Sequence, residues 1–402
     1  MSPPEGWRRA FPALDAPAHG RRLAYLDSAS TSLKPQAVID AVVRVFTHQA
    51  GNVHRGVHAL SEAATEAFDD ARGRIARLIG AAEDEIVLTS GTTAAINLVA
   101  HTWGRGHVGP GDAVIASALE HHSNLVPWQV LCAERGAELR IAPIDDRGRL
   151  DLAGFAALLD DRVKLVAVAH LSNVAGTIAP IAELARLAHA AGAIVVVDGA
   201  QAIAHLAVDV AALGCDFYAF SGHTLFAPTG TGVLWGRRRR LADLPPWQTG
   251  GEMVASVDYA RARLREPPHR FEAGTPNIAG VIGLGAAIGY LDTLDRAAVA
   301  DHEARLHTRL RAGLAALPGV RVLGEPEAAV VAFSVAGVHP HDVATIVDRD
   351  GVAIRSGHHC AEPLHHRFGV DSSARASRAL YNTDADVDAL LASLARVHEV
   401  LR

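Results

Sequence analysis

The chain has 402 residues, 49% of them apolar and 20% charged, with a net charge of −6. That length allows one large domain with a smaller satellite and a sizeable buried core. The charge balance gives no electrostatic case for binding nucleic acid or an anionic membrane, and no run of about 20 apolar residues is present to span one.

The opening residues carry no apolar run of signal-peptide length, so a cytoplasmic location is expected. Cys132, Cys215 and Cys360 are too few and too scattered for a disulfide framework and read as free thiols in a reducing compartment. Lysine is scarcer still: Lys34 and Lys164 are the only two.

Along the chain, short apolar runs that end in small or polar residues alternate with Ala/Leu-rich helical stretches. The runs are "EIVLTSG", "DAVIASALEH", "VKLVAVAHLSN", "AIVVVDGAQ", "DFYAFSGH" and "GVLWG", with "TTAAINLVAHTWGRG" and "IAELARLAHAAG" as helices between them. Continuous apolar strands with crossover helices predict an α/β fold with a mainly parallel sheet, whose ligand edge lies at the carboxyl ends of the strands. The basic run "GRRRRL" (236–241) reads as a solvated surface turn. After "FEAGTPNIAG" the pattern changes. A helix is expected from about Val281 to Leu317, where Pro318 stops it, followed by three short strands and a closing helix, a small α+β module. The division expected is an N-terminal segment, 1–30, packing on the small domain; a large domain, 31–280; and a small C-terminal domain with its linking helix, 281–402.

Four stretches carry chemistry, each with a plainer alternative. In "TSGTTAAINLVA", Thr92 and Thr93 open a helix after Gly91, which suits a phosphate cradle or an ordinary capped helix start. Asp198 ends the run "VVVD", where a buried carboxylate holds a protonated heteroaromatic nitrogen, holds a metal, or caps the next helix. His121 and His122 follow a strand. Adjacent histidines point apart, so a ring stacked on a flat cofactor is as natural there as metal ligation or a structural role. "RSGHHCAEPLHH" gathers Arg355, His358, His359, Cys360, His365 and His366. Cations there would favour the nucleophilic thiolate, and a zinc site is the alternative.

Taken in order, "NVHRGVH", "TSGTTAAINLVA", "EHHSNLVPWQ", "HLSNVAGTIAPI", "VDGAQ", "DFYAFSGH", "GGEM", "FEAGTPN", "RSGHHCAEPL" and "RASRALYNT" resemble the cysteine desulfurase and selenocysteine lyase-like group of the class V aminotransferase family. The resemblance covers residues 24–398, nearly the whole chain. It implies fold type I: a large domain with a mainly parallel seven-stranded sheet, a small C-terminal α+β domain and a homodimer. It implies pyridoxal 5'-phosphate (PLP) as cofactor, its phosphate on Thr92, Thr93, Ser221 and His223, with Thr275 reaching the phosphate in the partner subunit. His121 would stack on the ring, Asp198 would pair with its nitrogen, and Gln201 would bond its hydroxyl. Asn173 and Arg375 would take the carboxylate of a small amino-acid substrate. Cys360, with Arg355 and His359 beside it, would take sulfur as a persulfide, release alanine and pass the sulfur to an acceptor protein.

One letter departs from the pattern. Where the resemblance places the cofactor-anchoring lysine, "FSGHTLFAPTG" has Thr224, and Ala227 stands where a glycine is usual. Threonine forms no Schiff base, so PLP is expected to be held non-covalently or as an external aldimine with an amino acid. Lys34, in "STSLKPQ", and Lys164, ahead of a strand, are not expected to substitute. Three explanations stay open: a lysine-less enzyme acting on cysteine, a cysteine S-conjugate or another amino acid; a deliberate lysine variant; and a non-catalytic partner or scaffold that keeps the fold.

Overall fold

The computed structural model describes residues 3–400. Its centre is a seven-stranded sheet of β1 (Ile86–Thr89), β2 (Ala113–Ser117), β3 (Glu138–Ala142), β4 (Val163–Ala169), β5 (Ile194–Asp198), β6 (Phe217–Ser221) and β7 (Gly232–Gly236). The spatial order is β1-β7-β6-β5-β4-β2-β3. Every neighbouring pair is parallel except those made by β7, which runs antiparallel to both β1 and β6. Alternate residues of the apolar strands feed two cores. Val195 and Val197 face one layer of helices, while Ile194 and Val196 face the other. Burial on both faces is why these strands read as unbroken apolar runs.

Strand β3 escapes that pattern. It lies at the sheet edge with Glu138 and Ile141 exposed, and Arg140 is held by Asp160 and by the Leu158 carbonyl. The six apolar runs in the sequence correspond to the other six strands.

Helices α1 (Gln36–His48), α2 (Ala59–Leu78) and α3 (Thr92–Val99) lie in the first part of the chain, and α4 (Ile278–Asp292) packs its glycine-rich surface on α1 and α2. A Cβ at Gly285 would fall 2.6 Å from that of Ala71, so the close approach of α4 to α2 requires glycine there. The single long helix expected over 281–317 is in fact two. After α4 the chain turns by 89° into α5 (Arg296–Ala316). Asp295 accepts from the amides of Ala297 and Ala298 and starts a fresh helix, which uninterrupted apolar periodicity did not reveal.

Beyond α5, strands β8 (Val320–Val322), β9 (Val330–Val335), β10 (Arg355–Gly357) and β11 (Ser373–Ser377) form an antiparallel sheet in the order β8-β9-β11-β10. This sheet has its own core, around Leu306, Leu310, Phe333 and Val347. Near the N-terminus, Ala24–Tyr25 pairs in parallel with Val352–Ala353, and Arg8 and Arg22 reach Asp386. The basic run is committed to the fold: Arg237 bonds the carbonyls of Gly214 and Cys215, Arg238 reaches Asp84, and Arg240 reaches Asp216. Among the described residues no single helix is long and apolar enough to cross a membrane.

Candidate active site

At the carboxyl ends of β4, β5 and β6 a cavity opens between the large sheet and β10–β11. One end is the N-terminus of α3, where Thr92 and Thr93 line the wall with Ser221 and His223. The Ser221 hydroxyl lies 2.8 Å from that of Thr92 and accepts from its amide at 2.9 Å. The hydroxyls of Thr93 and Ser123 are 2.7 Å apart. The amides of Thr93 and Ala94, at the positive end of the helix, bond no acceptor among the described residues. Hydroxyls and free amides at a helix start suit a phosphate group.

The floor is polar but short of cations. Asp198 ends β5, buried, and its carboxylate accepts a bond of 2.9 Å from the Ala200 amide. Burial pushes its carboxyl up to about 6. Among the described residues no arginine or lysine pairs with it, so a cationic ring nitrogen would supply the missing charge. That is the feature by which the residues present fit PLP. Gln201, beside it, donates to the Ala29 carbonyl at 3.1 Å. His121 sits at the cavity wall, its Nδ1 accepting from the Ser123 amide at 3.1 Å, which places the proton of the neutral ring on Nε2. Burial, with His122, Arg375 and Arg355 adding, pushes its pKa down to about 4, so the ring is neutral near pH 7.

The opposite wall is cationic. Arg355 of β10 and Arg375 of β11 are direct cross-strand partners, and both donate to the Ser30 hydroxyl, at 3.1 and 2.9 Å. Ser30 in turn donates to Asp27 at 2.6 Å, and Arg375 also donates to the Asn173 carbonyl at 3.1 Å. Asn173 donates from its side chain to the His359 carbonyl at 2.7 Å. His359 is buried, 3.1 Å from the Ser373 hydroxyl, and burial holds its pKa far below the usual histidine range. Two guanidiniums facing a cavity beside an amide suit a substrate carboxylate.

Of the fourteen positions that the resemblance places at the site, Thr224 included, twelve line this one cavity. Cys360 and Thr275 do not. Cys360 is half-buried next to it, on a loop where it and His359 both take left-handed backbone (φ 54° and 50°), and its carbonyl accepts from the His122 amide at 2.7 Å. Thr275 is exposed, in the turn before α4. The histidines near Cys360 bond to the protein itself: His365 lies 3.0 Å from the Ala361 carbonyl and 2.9 Å from the Ser373 hydroxyl, and His122 accepts from the Glu362 amide. Among the described residues no three His, Cys, Asp or Glu side chains converge as a metal site. Ser30 and Ser123 are cavity residues that the sequence reading passed over; the arginine partners of Ser30 lie far off in the chain, and Ser123 meets Thr93 from a short turn of helix after His121.

Thr224 lines the cavity with its hydroxyl turned back to the Ser221 carbonyl at 3.0 Å. Neither lysine lines the cavity. Lys34 donates to the Thr31 hydroxyl at 3.0 Å and to the Ser32 carbonyl, and burial lowers its pKa to about 8. Lys164 lies at the amino end of β4, near Asp112 and the Asp161 carbonyl.

Residues 24–390 match the family model described as Aminotransferase class-V. The chain belongs to that family. Within these PLP-dependent enzymes it falls in the cysteine desulfurase group. It is 49% identical over 397 residues to a cysteine desulfurase of Dickeya dadantii, covering 98% of this chain and 96% of that one. It is also 49% identical over 403 residues to a probable cysteine desulfurase of Pseudomonas aeruginosa, covering all of both. A solved cysteine desulfurase of Escherichia coli in an S-sulfonic acid form superposes with a TM-score of 0.93 at 40% identity, covering 100% of this chain and 99% of that one.

Proposed function

We propose that this class V family member binds PLP without a covalent link to residue 224, and that its site is built to move sulfur from cysteine to Cys360 while releasing alanine. Thr224 impairs that reaction. The observation that carries the reading is Asp198, a buried carboxyl with no cationic partner at the floor of a cavity that is otherwise complete. Bound there, PLP would act as the electron sink that lets bonds at the substrate's carbon skeleton break.

The protein's own residues then divide the work. Thr92, Thr93, Ser221 and His223 hold the phosphate; His121 stacks on the ring; Asp198 keeps the ring nitrogen protonated; and Gln201 bonds the ring hydroxyl. Asn173 and Arg375 orient the substrate carboxylate. Arg355 and His359 flank Cys360, whose thiolate forms a bond to the substrate sulfur as the substrate's C–S bond breaks. The protein works as a homodimer in which Thr275 completes the phosphate site of the partner, and an acceptor protein removes the sulfur from Cys360. The chain divides into an N-terminal segment, 1–30, a large domain, 31–280, and a small domain, 281–402. This division is supported by the separate core around Phe333 and the pairing of Ala24–Tyr25 with Val352–Ala353.

A second reading, chemistry on an amino acid that needs no thiol, is favoured by one observation: Cys360 lies beside the cavity and not in its wall.

The deciding experiment is Thr224→Lys, alone and with Cys360→Ala, with sulfide and alanine measured. A positioned acid–base group is worth about 10²–10⁴-fold, so the single variant should gain at least that much cysteine desulfuration over the parent. Cofactor attachment at residue 224 without sulfide release would remove cysteine as the substrate. Sulfide release that survives Cys360→Ala would remove the persulfide role and favour the second reading.

A further inference from the structure

One side chain in the cavity wall, Ser30, is used by no step of the proposed chemistry. The bonding of its hydroxyl is fully determined. Oγ lies 2.6 Å from Asp27 Oδ1, and a carboxylate accepts, so the Ser30 proton goes to Asp27. Guanidiniums only donate, so both lone pairs of the same oxygen are taken, by Arg355 at 3.1 Å and by Arg375 at 2.9 Å. The backbone fixes that oxygen in place. The amides of Ser28 and Ala29 donate to the carbonyl and hydroxyl of Ser377, at the end of β11, at 3.2 and 2.8 Å. The Ala29 carbonyl accepts from Gln201 at 3.1 Å, and the Ser30 amide donates to the Asp27 carbonyl at 3.1 Å. Ser30 thus stands on a strap held between the small sheet and the loop after β5.

The two arginines need such a group. They are cross-strand partners of like charge. Arg375, 1% exposed, donates to the Asn173 carbonyl and to Ser30, with Asp27 at 3.4 Å, while its buried Nε–H has no acceptor among the described residues. Arg355 is half-buried, and among the described residues Ser30 is the one acceptor its side chain meets. A guanidinium carries five N–H donors, so both arginines keep donors for an incoming pair of oxygens. Without the Ser30 hydroxyl, no bond would hold Arg355 toward Arg375. Asp27, relieved of the Ser30 proton, would be free to close on Arg375 and compete with a ligand carboxylate.

We propose that Ser30 is a positioning residue for the substrate carboxylate. By donating to Asp27 while accepting from Arg355 and Arg375, it yokes the two guanidiniums to one ligand carboxylate and keeps Asp27 off Arg375. This rests on the reading that Asn173 and Arg375 receive a substrate carboxylate, and it brings Arg355 into that contact.

The test compares ligands with and without a carboxylate. The PLP-loaded parent and Ser30→Ala are each titrated at fixed pH and ionic strength with L-alanine and with ethylamine, the same molecule less its carboxylate. Absorbance of the bound cofactor gives the dissociation constants. Ser30→Ala should weaken L-alanine by about tenfold or more, as expected for a lost hydrogen bond to a charged group, and leave ethylamine within about twofold. Equal weakening of both ligands would mean a merely structural role, and unchanged or tighter L-alanine binding would mean the arginines need no yoke; either result overturns the proposal. Should Ser30→Ala fail to fold by circular dichroism, Ser30→Cys, similar in shape but a weak acceptor, carries the same expectation. A parent that does not distinguish L-alanine from ethylamine would sink the carboxylate reading and this proposal together. If the parent takes up no PLP, the cofactor reading fails, and the yoke is decided separately by thermal unfolding of the cofactor-free proteins in sodium propionate against sodium chloride. A propionate-specific rise in midpoint that is larger for the parent than for Ser30→Ala supports it, and equal shifts overturn it.

Discussion

At residue 224 the proposed function turns on a single side chain. The Thr224 hydroxyl is satisfied by the Ser221 carbonyl, so the threonine is at home in the loop and leaves no dangling polar group. Neither of the chain's two lysines lines the cavity. The Lys34 amine is held by Thr31 and Ser32, and Lys164 lies at the amino end of β4. Borohydride reduction of the PLP-loaded protein followed by peptide mapping should therefore find no phosphopyridoxyl group on the chain. A label on Lys34 or Lys164 would contradict this. Much of the site could be read from the sequence because its residues are chemically unusual where they stand: Asp198 closes a wholly apolar strand, and Thr92–Thr93 open a helix. Ser30 could not be read that way. Its meaning comes from two arginines more than three hundred residues away, and no local pattern encodes that meeting.

Strands were legible where they are continuous apolar runs; β11, wholly buried but made of Ser, Ala and Arg, was missed, so the small sheet has four strands where three were expected. Strand β3 is an edge strand whose exposed Glu138 and Ile141 break any simple alternation, so its apolar content resembles that of a loop. The α4–α5 boundary was hidden for a different reason. Ala- and Leu-rich sequence continues through it, and only Asp295, capping two amides, marks the new start. Replacing Asp295 with alanine should cost about 1 kcal/mol, seen as a lower denaturant midpoint with an unchanged slope. A midpoint equal to that of the parent would mean the cap contributes nothing and the turn is set by packing alone.

At the scale of the whole molecule, the proposed dimer explains why Thr275, drawn to the phosphate by resemblance, lies exposed in a single chain. Sedimentation should give a dimer, and Thr275→Val should weaken PLP binding without dissociating it. A stable monomer that binds PLP tightly would end the shared-site idea. The partition into a large sheet and a small one was visible as a change of pattern near residue 280. How the N-terminal segment reaches both bodies was not. Phe11 lies in the large core beside Phe226 and Tyr381, while Ala24–Tyr25 pairs with Val352–Ala353, and such long-range meetings leave little local trace.

Arg355 and Arg375 stand opposite each other on adjacent strands, a pairing of like charges that opposes the sheet that carries it. One serine and one aspartate only partly offset the repulsion. On the proposed function, a carboxylate bound between these arginines would complete the local fold as well as fill the site. Hydrogen exchange in β10 and β11 should slow when a carboxylate ligand binds, which would make the cavity a reporter of its own occupancy.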